Sequence, residues 1–132
     1  MPETARVETS ASMGAAFANA LAARDFEAIS ALLHPEVDFR GLTPRRAWEA
    51  SDPDAVIGEI LTQWFEDSDE IEGLLKLETD SFADRERVGY RFRVRNPEGL
   101  FEVEQQVYIG EVDGRIGWMR VVCSGFRPVS PE

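Results

Sequence analysis

The spacing of hydrophobic residues divides the chain into a helical first part and a stranded second part. Before residue 66, apolar residues recur every three or four positions in three segments, and this period predicts helices around Phe17, Ile29 and Ile60. The alternation at residues 37–40 predicts one short strand between the second and third helices. From about residue 71 to residue 123 the period changes to two, which predicts a run of strands.

Capping residues mark where the predicted helices begin and end. Asp25 is a suitable N-cap for the second helix, and the residue before Pro35 avoids the helical region, so that helix ends there. Asp52 followed by Pro53 is a typical start of a helix and opens the third. Residues 41–50 are then expected to be a connection.

The first long hairpin of the stranded part is predicted to turn at residues 96–99, where Asn, Pro and Gly favour a turn. A four-residue loop there places Arg93 opposite Glu102 and Arg91 opposite Glu104. Opposite charges that face each other across two strands each stabilise this register by about 0.2 to 1 kcal/mol.

The last hairpin is predicted to turn at Asp113–Gly114, and a two-residue loop there pairs Tyr108 with Met119. Both faces of this hairpin are apolar, and a sheet that is apolar on both faces needs two covers. The helices cover one face, so we expect a homodimer in which a second copy covers the outer sheet face. The hairpin alone does not decide which set faces inward. One set is Val107, Ile109, Trp118 and Val122; the other is Tyr108, Met119, Val121 and Cys123.

Helices followed by strands predict an α+β fold, with three N-terminal helices packed on a curved antiparallel sheet of four or five strands. A long sheet twists, and a cone or roll of this kind has a concave side that can hold a ligand. We expect a leader at residues 1–11, one domain at residues 12–127 and a tail at residues 128–132.

Composition excludes several classes of function. The 132 residues suit one domain, and the net charge of −11, from 25 acidic and 14 basic residues, argues against nucleic-acid binding. No apolar run reaches the roughly 18 residues that a membrane helix needs. The single cysteine, Cys123, excludes an internal disulfide and fits a reducing cytoplasm. The carboxylates lack the spacing of a metal site, so we expect no metal and no cofactor.

Three passages resemble the nuclear transport factor 2-like superfamily, which includes SnoaL-like cyclases and ketosteroid isomerases. They are residues 17–29, residues 33–39 and residues 112–116, and the resemblance covers about residues 12 to 127. It implies a pocket between the helices and the sheet. The superfamily contains enzymes as well as proteins that catalyse nothing, so the resemblance does not decide the function.

The ketosteroid isomerase machinery is not matched by this chain. In those relatives it comprises a tyrosine on the first helix, a base aspartate on the first strand and a protonated aspartate on a late strand. The corresponding positions hold Phe17, Arg40 (or its neighbour Gly41) and Gln106. Phenylalanine cannot donate a hydrogen bond, arginine is not a base near neutral pH, and glutamine does not titrate. Isomerase activity of this kind is therefore not expected.

The leading hypothesis is a small-molecule-binding protein with an apolar pocket, in which Arg40 holds an anionic group of the ligand. Alternatively, Arg40 is an exposed strand residue that pairs with Asp38 on the surface. The resemblance favours an inward position for Gln106, Tyr108, Met119, Val121 and Cys123. The charged pair of Arg91 and Glu104 favours the opposite face, unless a bulge intervenes. The predicted ligand-binding residues are Phe17, Arg40, Trp48, Trp64, Gln106, Tyr108 and Met119.

The alternative hypothesis is an enzyme of the cyclase, hydratase or epoxide-hydrolase type that uses Asp38, Tyr108 or His34. Such an enzyme needs one of these groups beside a bound polar atom. The simpler interpretation of His34 is a cap on the end of the second helix, and that of Cys123 is a packed core thiol. A third hypothesis, a purely structural domain, gains support if the protein's own side chains fill the cavity.

Overall fold

The predicted helices and strands are present in the computed structural model, which describes residues 12–129. The predicted leader, residues 1–11, lies outside the described residues, as do residues 130–132. The helices are α1 (Met13–Ala22), α2 (Phe26–Leu32) and α3 (residues 53–64). The strands are β1 (Leu33–Thr43), β2 (Arg46–Ala50), β3 (Glu70–Phe82), β4 (Arg85–Asn96), β5 (Gly99–Val112), β6 (Arg115–Cys123) and β7 (Arg127–Pro128).

Each helix begins at a side-chain cap. The side chains of Ser12, Asp25 and Asp52 each accept a hydrogen bond from the backbone N–H three residues later, which satisfies an otherwise unpaired donor. Pro53 occupies the first turn of α3, as predicted. The middle of α3, Val56–Leu61, is π-helical, so its turns are wider than those of an α-helix. The π segment has no signal in the hydrophobic pattern.

The sheet has seven strands, and its order is β2-β1-β6-β5-β4-β3, with β7 also on β5. It is mixed rather than antiparallel, because β1 and β6 run parallel. The chain passes through α3 and four further strands between β1 and β6, so the two strands are not joined by a hairpin and are free to run parallel. The predicted connection at residues 41–50 is wrong, because these residues finish β1 and form β2, a hairpin at the sheet edge.

The register of the first long hairpin confirms the predicted charge pairs. Asn96 pairs with Gly99 across a two-residue loop, shorter than the four residues expected. Arg91 Nη2 lies 2.8 Å from Glu104 Oε1, and Arg93 Nη2 lies 3.4 Å from Glu102 Oε2. These pairs place one charged ladder on the outer sheet face, away from the helices.

The last hairpin contains a bulge that the sequence pattern missed. Trp118 pairs with Gly110 and Ile116 with Glu111, so Gly117 has no partner across the strands. A Cβ at Gly117 would lie 2.3 Å from Val112 Cγ2, so only glycine fits the bulge. The predicted pairing of Tyr108 with Met119 is therefore wrong; Tyr108 pairs with Arg120.

The bulge distributes the side chains of the last hairpin between the two sheet faces in a way that neither predicted set matches. Buried side chains of this hairpin that point to the inner face, toward the helices, are Val107, Ile109, Met119 and Val121. The outer face carries Tyr108, Trp118, Arg120 and Val122.

The core lies between the inner sheet face and the three helices. Aromatic rings fill much of it: Phe17 lies 6.4 Å from Tyr90, Tyr90 lies 4.9 Å from Phe92, and Phe92 lies 5.9 Å from Phe65, all between ring centroids. The protein's own side chains thus occupy the interior around Phe17. Within residues 12–129, no helix combines the length and the apolar character required to cross a membrane.

Candidate functional site

A row of three polar side chains crosses the inner face of the sheet. Tyr90 on β4 pairs with Gln105 on β5, and Gln105 pairs with Cys123 on β6. Side chains directly opposite one another on neighbouring strands have Cβ atoms about 4.5 to 5.5 Å apart. We call Tyr90, Gln105 and Cys123 the polar row. Tyr90 and Gln105 are 1% exposed, whereas Cys123 is half-buried.

The hydrogen bonding of the polar row is incomplete. The Tyr90 hydroxyl donates to Gln105 Oε1. Gln105 Nε2 is buried and has no hydrogen-bond partner in the described part of the chain. Turning the amide over exchanges its two ends but still leaves one of them unpaired. A buried polar group without a partner costs about 1 to 3 kcal/mol, so this amide is a candidate contact for a ligand.

Burial also determines what the polar row can do chemically. Burial raises the pKa of the Tyr90 phenol well above its ordinary value, and Cys123 raises it further. Tyr90 is therefore a neutral hydrogen-bonding group near pH 7 and not a base. The Cys123 sulfur accepts a hydrogen bond of 3.4 Å from the Gly125 N–H, which positions the thiol at the half-buried end of the row.

A second unpaired donor lies toward the same end of the inner face. Trp64 is 8% exposed, and its indole Nε1 has no partner within residues 12–129. Its ring lies over Gly41, where a Cβ would come within 2.8 Å of the ring, and Gly41 pairs with Val121, two residues before Cys123. Trp48 packs edge-on against Trp64 at 6.0 Å between ring centroids.

The core is less completely covered beside these donors. Trp48, Cys123 and Phe126 pack against the core there and are only partly buried. Trp48 is held by a hydrogen bond of 3.0 Å from its Nε1 to Thr43 Oγ1, and the Arg46 guanidinium stacks on its ring at 3.7 Å.

The described interior has no free charge. In residues 12–129 the buried polar or charged side chains are Gln105 and Asp69. Both carboxylate oxygens of Asp69 accept hydrogen bonds, from the Glu66 N–H and from Asn96 Nδ2. Glu86, on the inner side of β4, accepts from the Ser12 hydroxyl and the Gly14 N–H at the start of α1. A buried ion would find no counter-charge beside the polar row.

Arg40 and Asp38 lie on the outer sheet face, as the surface-pair alternative predicted. The Arg40 side chain is 60% exposed, and its Nε lies 3.8 Å from Asp38 Oδ1. Asp38 also accepts from Arg120, whose Nη1 is 3.3 Å from Asp38 Oδ1. An inward Arg40 that holds an anion inside the cone is therefore wrong. Arg40 instead borders an outer groove of about 330 Å³, whose lining includes Leu42, Trp48 and Val122.

Gln106 and Tyr108 also lie on the outer face, so the inward position that the resemblance favoured is wrong for both. Arg87 Nη1 donates to Gln106 Oε1 at 2.8 Å, and Tyr108 lies between Arg87 and Arg120 in the register. The physical reason is that β5 continues without a bulge from Glu104, so Gln106 and Tyr108 share the outer face with that carboxylate. The bulge at Gly117 then puts Met119 on the face opposite Tyr108. The inward position is confirmed for Met119 and Val121, and Cys123 shares their face.

The three predicted catalytic candidates do not meet at the polar row. His34 lies in β1 rather than at a helix end; its Nδ1 accepts from the Glu36 N–H, and its Nε2 is 3.6 Å from Asp113. It does not cap α2. Asp38 and Tyr108 lie on the outer face. Of the predicted ligand-binding residues, Phe17, Trp64 and Met119 are in the core.

Sequence reasoning missed Tyr90 and favoured Gln106 over Gln105, although a signal for both buried residues was present. Arg91 and Glu104 were predicted to face each other on one side of the first hairpin. Tyr90 and Gln105 are their immediate neighbours, and side chains alternate along a strand, so this pair had to share the opposite face. The charged pair on the outer face therefore located a polar pair on the inner one.

Comparison with known proteins identifies the fold. No family model and no curated protein matches the sequence. Among solved structures, the chain is similar to a proposed isomerase from Bacillus subtilis, with a TM-score of 0.67 and 12% identity over 80% of this chain and 79% of that one. It is also similar to a proposed polyketide cyclase from Xanthomonas campestris, with a TM-score of 0.64 and 16% identity over 81% and 84%.

A third structure, an epoxide hydrolase of the LEH-like type from M. tuberculosis, has a TM-score of 0.59 and 14% identity over 83% of this chain and 77% of that one. Other similar structures include a nuclear transport factor 2-like protein from Burkholderia xenovorans. The predicted resemblance is thereby confirmed for the fold: three helices on a curved mixed sheet, in the manner of nuclear transport factor 2-like proteins. At these identities the comparison shows the fold alone.

Proposed function

We propose that the protein binds a small, largely apolar and uncharged molecule beside the polar row, at the end where Cys123 is half-buried. The observation that supports this most directly is the unpaired amide group of Gln105, buried on the inner face. Buried polar groups in proteins are nearly always paired, and a ligand oxygen would pair this one. Trp64 Nε1 offers a second donor toward the same end of the face.

The chemistry of the interior defines the class of ligand. Aromatic and aliphatic side chains provide the apolar contact, and an indole N–H and an amide group provide the polar contacts. A ketone, ester or alcohol satisfies these groups without bringing a charge into an uncharged site. A carboxylate would lose its hydration without gaining a cation, so it should bind far more weakly.

Titration calorimetry with 1-tetralone, a neutral bicyclic ketone, tests this proposal. We expect 1-tetralone to bind and 1-naphthoate, a carboxylate of similar size, to bind at least about tenfold more weakly. Gln105→Leu removes the amide and should weaken 1-tetralone binding by about tenfold, the equivalent of one net hydrogen bond.

Gln106→Leu is the matched control, because it removes the neighbouring amide from the outer face and should leave 1-tetralone binding unchanged. The proposal fails if the two substitutions have the same effect, or if the carboxylate binds more tightly than the ketone.

An enzyme of the type that several similar structures represent is the alternative function. It would require an acid or base at the ligand, and Asp38, His34 and Tyr108 all lie away from the polar row. We therefore favour binding without acid–base catalysis. A cytoplasmic location is also part of the proposal, and the free thiol of Cys123 supports it.

A homodimer through the outer sheet face completes the proposal. Leu42 and Val122 pair with each other across β1 and β6 and are 54% and 51% exposed at the outer groove. Arg40 and Arg120 lie beside Asp38 and Glu49 at this groove, so charges of both signs are present locally in a chain of net charge −11. Such a patch can meet a second copy of itself without strong repulsion.

Sedimentation equilibrium at micromolar concentration tests the dimer. Leu42→Asp places a charge in the proposed interface and should convert the dimer into a monomer. Leu77→Asp, at an exposed leucine of β3, should leave the dimer intact. A monomer mass for the wild-type protein would contradict the proposal.

A further inference from the structure

We propose that Cys123 and Gln105 together form a covalent capture site for α,β-unsaturated carbonyl compounds. The inference rests on the proposed function in one respect, because the carbonyl oxygen must reach Gln105. It goes further in assigning a reactive class of ligand and an attachment point, the Cys123 sulfur.

The geometry that carries the inference is the direct pairing of Gln105 with Cys123 on adjacent strands of the inner face. The amide is buried and has an unpaired nitrogen, whereas the thiol, at the end of the row, is half-buried. A small molecule that reaches the row from the Cys123 side would contact the sulfur first and the amide beside it. Paired side chains have Cβ atoms about 5 Å apart, which is close enough for one small enone to contact both the sulfur and the amide.

Two further hydrogen bonds orient the side chains of the polar row for this ligand. The Gly125 N–H donates to the Cys123 sulfur and holds it in place. The Tyr90 hydroxyl donates to Gln105 Oε1, which turns the amide N–H₂ toward the unpaired side. The amide N–H₂ is therefore the end of the side chain that is left to pair with the carbonyl oxygen of the ligand.

The reaction is the conjugate addition of a thiol. The sulfur forms a bond to the β-carbon, the C=C π electrons move toward the carbonyl, and negative charge develops on the carbonyl oxygen. The Gln105 N–H donates to that oxygen as the charge develops, which lowers the barrier. The thiol proton ends on the α-carbon, so the product is a saturated thioether ketone, and no oxidant, reductant or leaving group is involved.

Intact-mass spectrometry after incubation with 2-cyclohexen-1-one tests the proposal. We expect one adduct per chain, located at Cys123 by peptide mapping, and no adduct in Cys123→Ser. We expect Gln105→Leu to slow the addition by about tenfold. The same variant should react at the wild-type rate with 4,4′-dithiodipyridine, a neutral disulfide that reports only the accessibility of the thiol.

The outcomes separate the two proposals. If Gln105→Leu slows both reagents equally, or neither, Cys123 is merely an accessible thiol and the capture site is wrong. If cyclohexanone, the saturated analogue, binds reversibly but 2-cyclohexen-1-one forms no adduct, the capture site is wrong and the proposed function stands. If neither compound binds and no adduct forms, both are wrong.

Discussion

Two buried polar clusters lie at different places in the sheet, and they differ in whether their hydrogen bonds are complete. Asp69 joins the end of α3 to the start of β3: its carboxylate accepts from the Glu66 N–H and from Asn96 Nδ2, both at 2.9 Å. Arg24 donates to the Asp69 carbonyl at 3.3 Å and to the Phe65 carbonyl at 3.1 Å. In the polar row, Gln105 has one bond, from Tyr90, and an unpaired nitrogen.

The difference distinguishes a group that holds the fold together from one that is available to a partner. A fully paired buried carboxylate stabilises its neighbours, because no other group can replace its oxygens. A partly paired amide destabilises the protein that carries it, unless a ligand supplies the missing bond. A buried polar group with incomplete hydrogen bonding departs from what stability requires, and such departures are expected at functional sites.

The largest expected effect on the free energy of unfolding comes from removing the fully paired carboxylate of Asp69. Asp69→Ala leaves the Glu66 N–H and the Asn96 amide without an acceptor in a buried site. We expect the free energy of unfolding, measured by urea denaturation, to fall by about 3 kcal/mol, because bonds to a charged group are among the stronger ones.

Asp67→Ala is the matched control, since it removes a fully exposed carboxylate in the same turn, 3.8 Å from Arg24, and should leave the unfolding midpoint unchanged. A fall of less than about 1 kcal/mol for Asp69→Ala would mean that water replaces the carboxylate and that the contrast between the clusters is not real.

Most of the fold could be predicted from the sequence because its signals are local. Caps at Asp25 and Asp52 depend on side chains within one turn of the helix, and the pairing of Arg91 with Glu104 follows from one turn and an alternating pattern. The parallel pairing of β1 with β6 joins residues about 80 positions apart, and no local pattern specifies it.

The candidate site was less predictable because one bulged residue changes the face on which the later side chains of β6 lie relative to those of β5. The bulge at Gly117 moves every later side chain of β6 relative to β5, so Tyr108 and Met119 separate. The role of Gly117 is fixed by its close approach to Val112, a contact between residues that the hairpin loop alone brings together. The resemblance to ketosteroid isomerases led to Gln106, whereas the buried amide is its neighbour Gln105.

A smaller effect of the opposite sign is expected at the polar row, and it sharpens the comparison most. The double substitution Tyr90→Phe/Gln105→Leu removes the unpaired nitrogen together with its hydroxyl partner and replaces both side chains with apolar ones of similar shape. We expect the free energy of unfolding to rise by about 1 kcal/mol, because a buried polar group without a partner is lost.

Tyr90→Phe alone should lower the free energy of unfolding, since Gln105 then has no partner at all. Urea denaturation of the four variants in the cycle measures both effects. If the double variant instead loses more than about 1 kcal/mol, the row is held by bonds as complete as those of Asp69, and Gln105 is a structural residue with no need of a ligand.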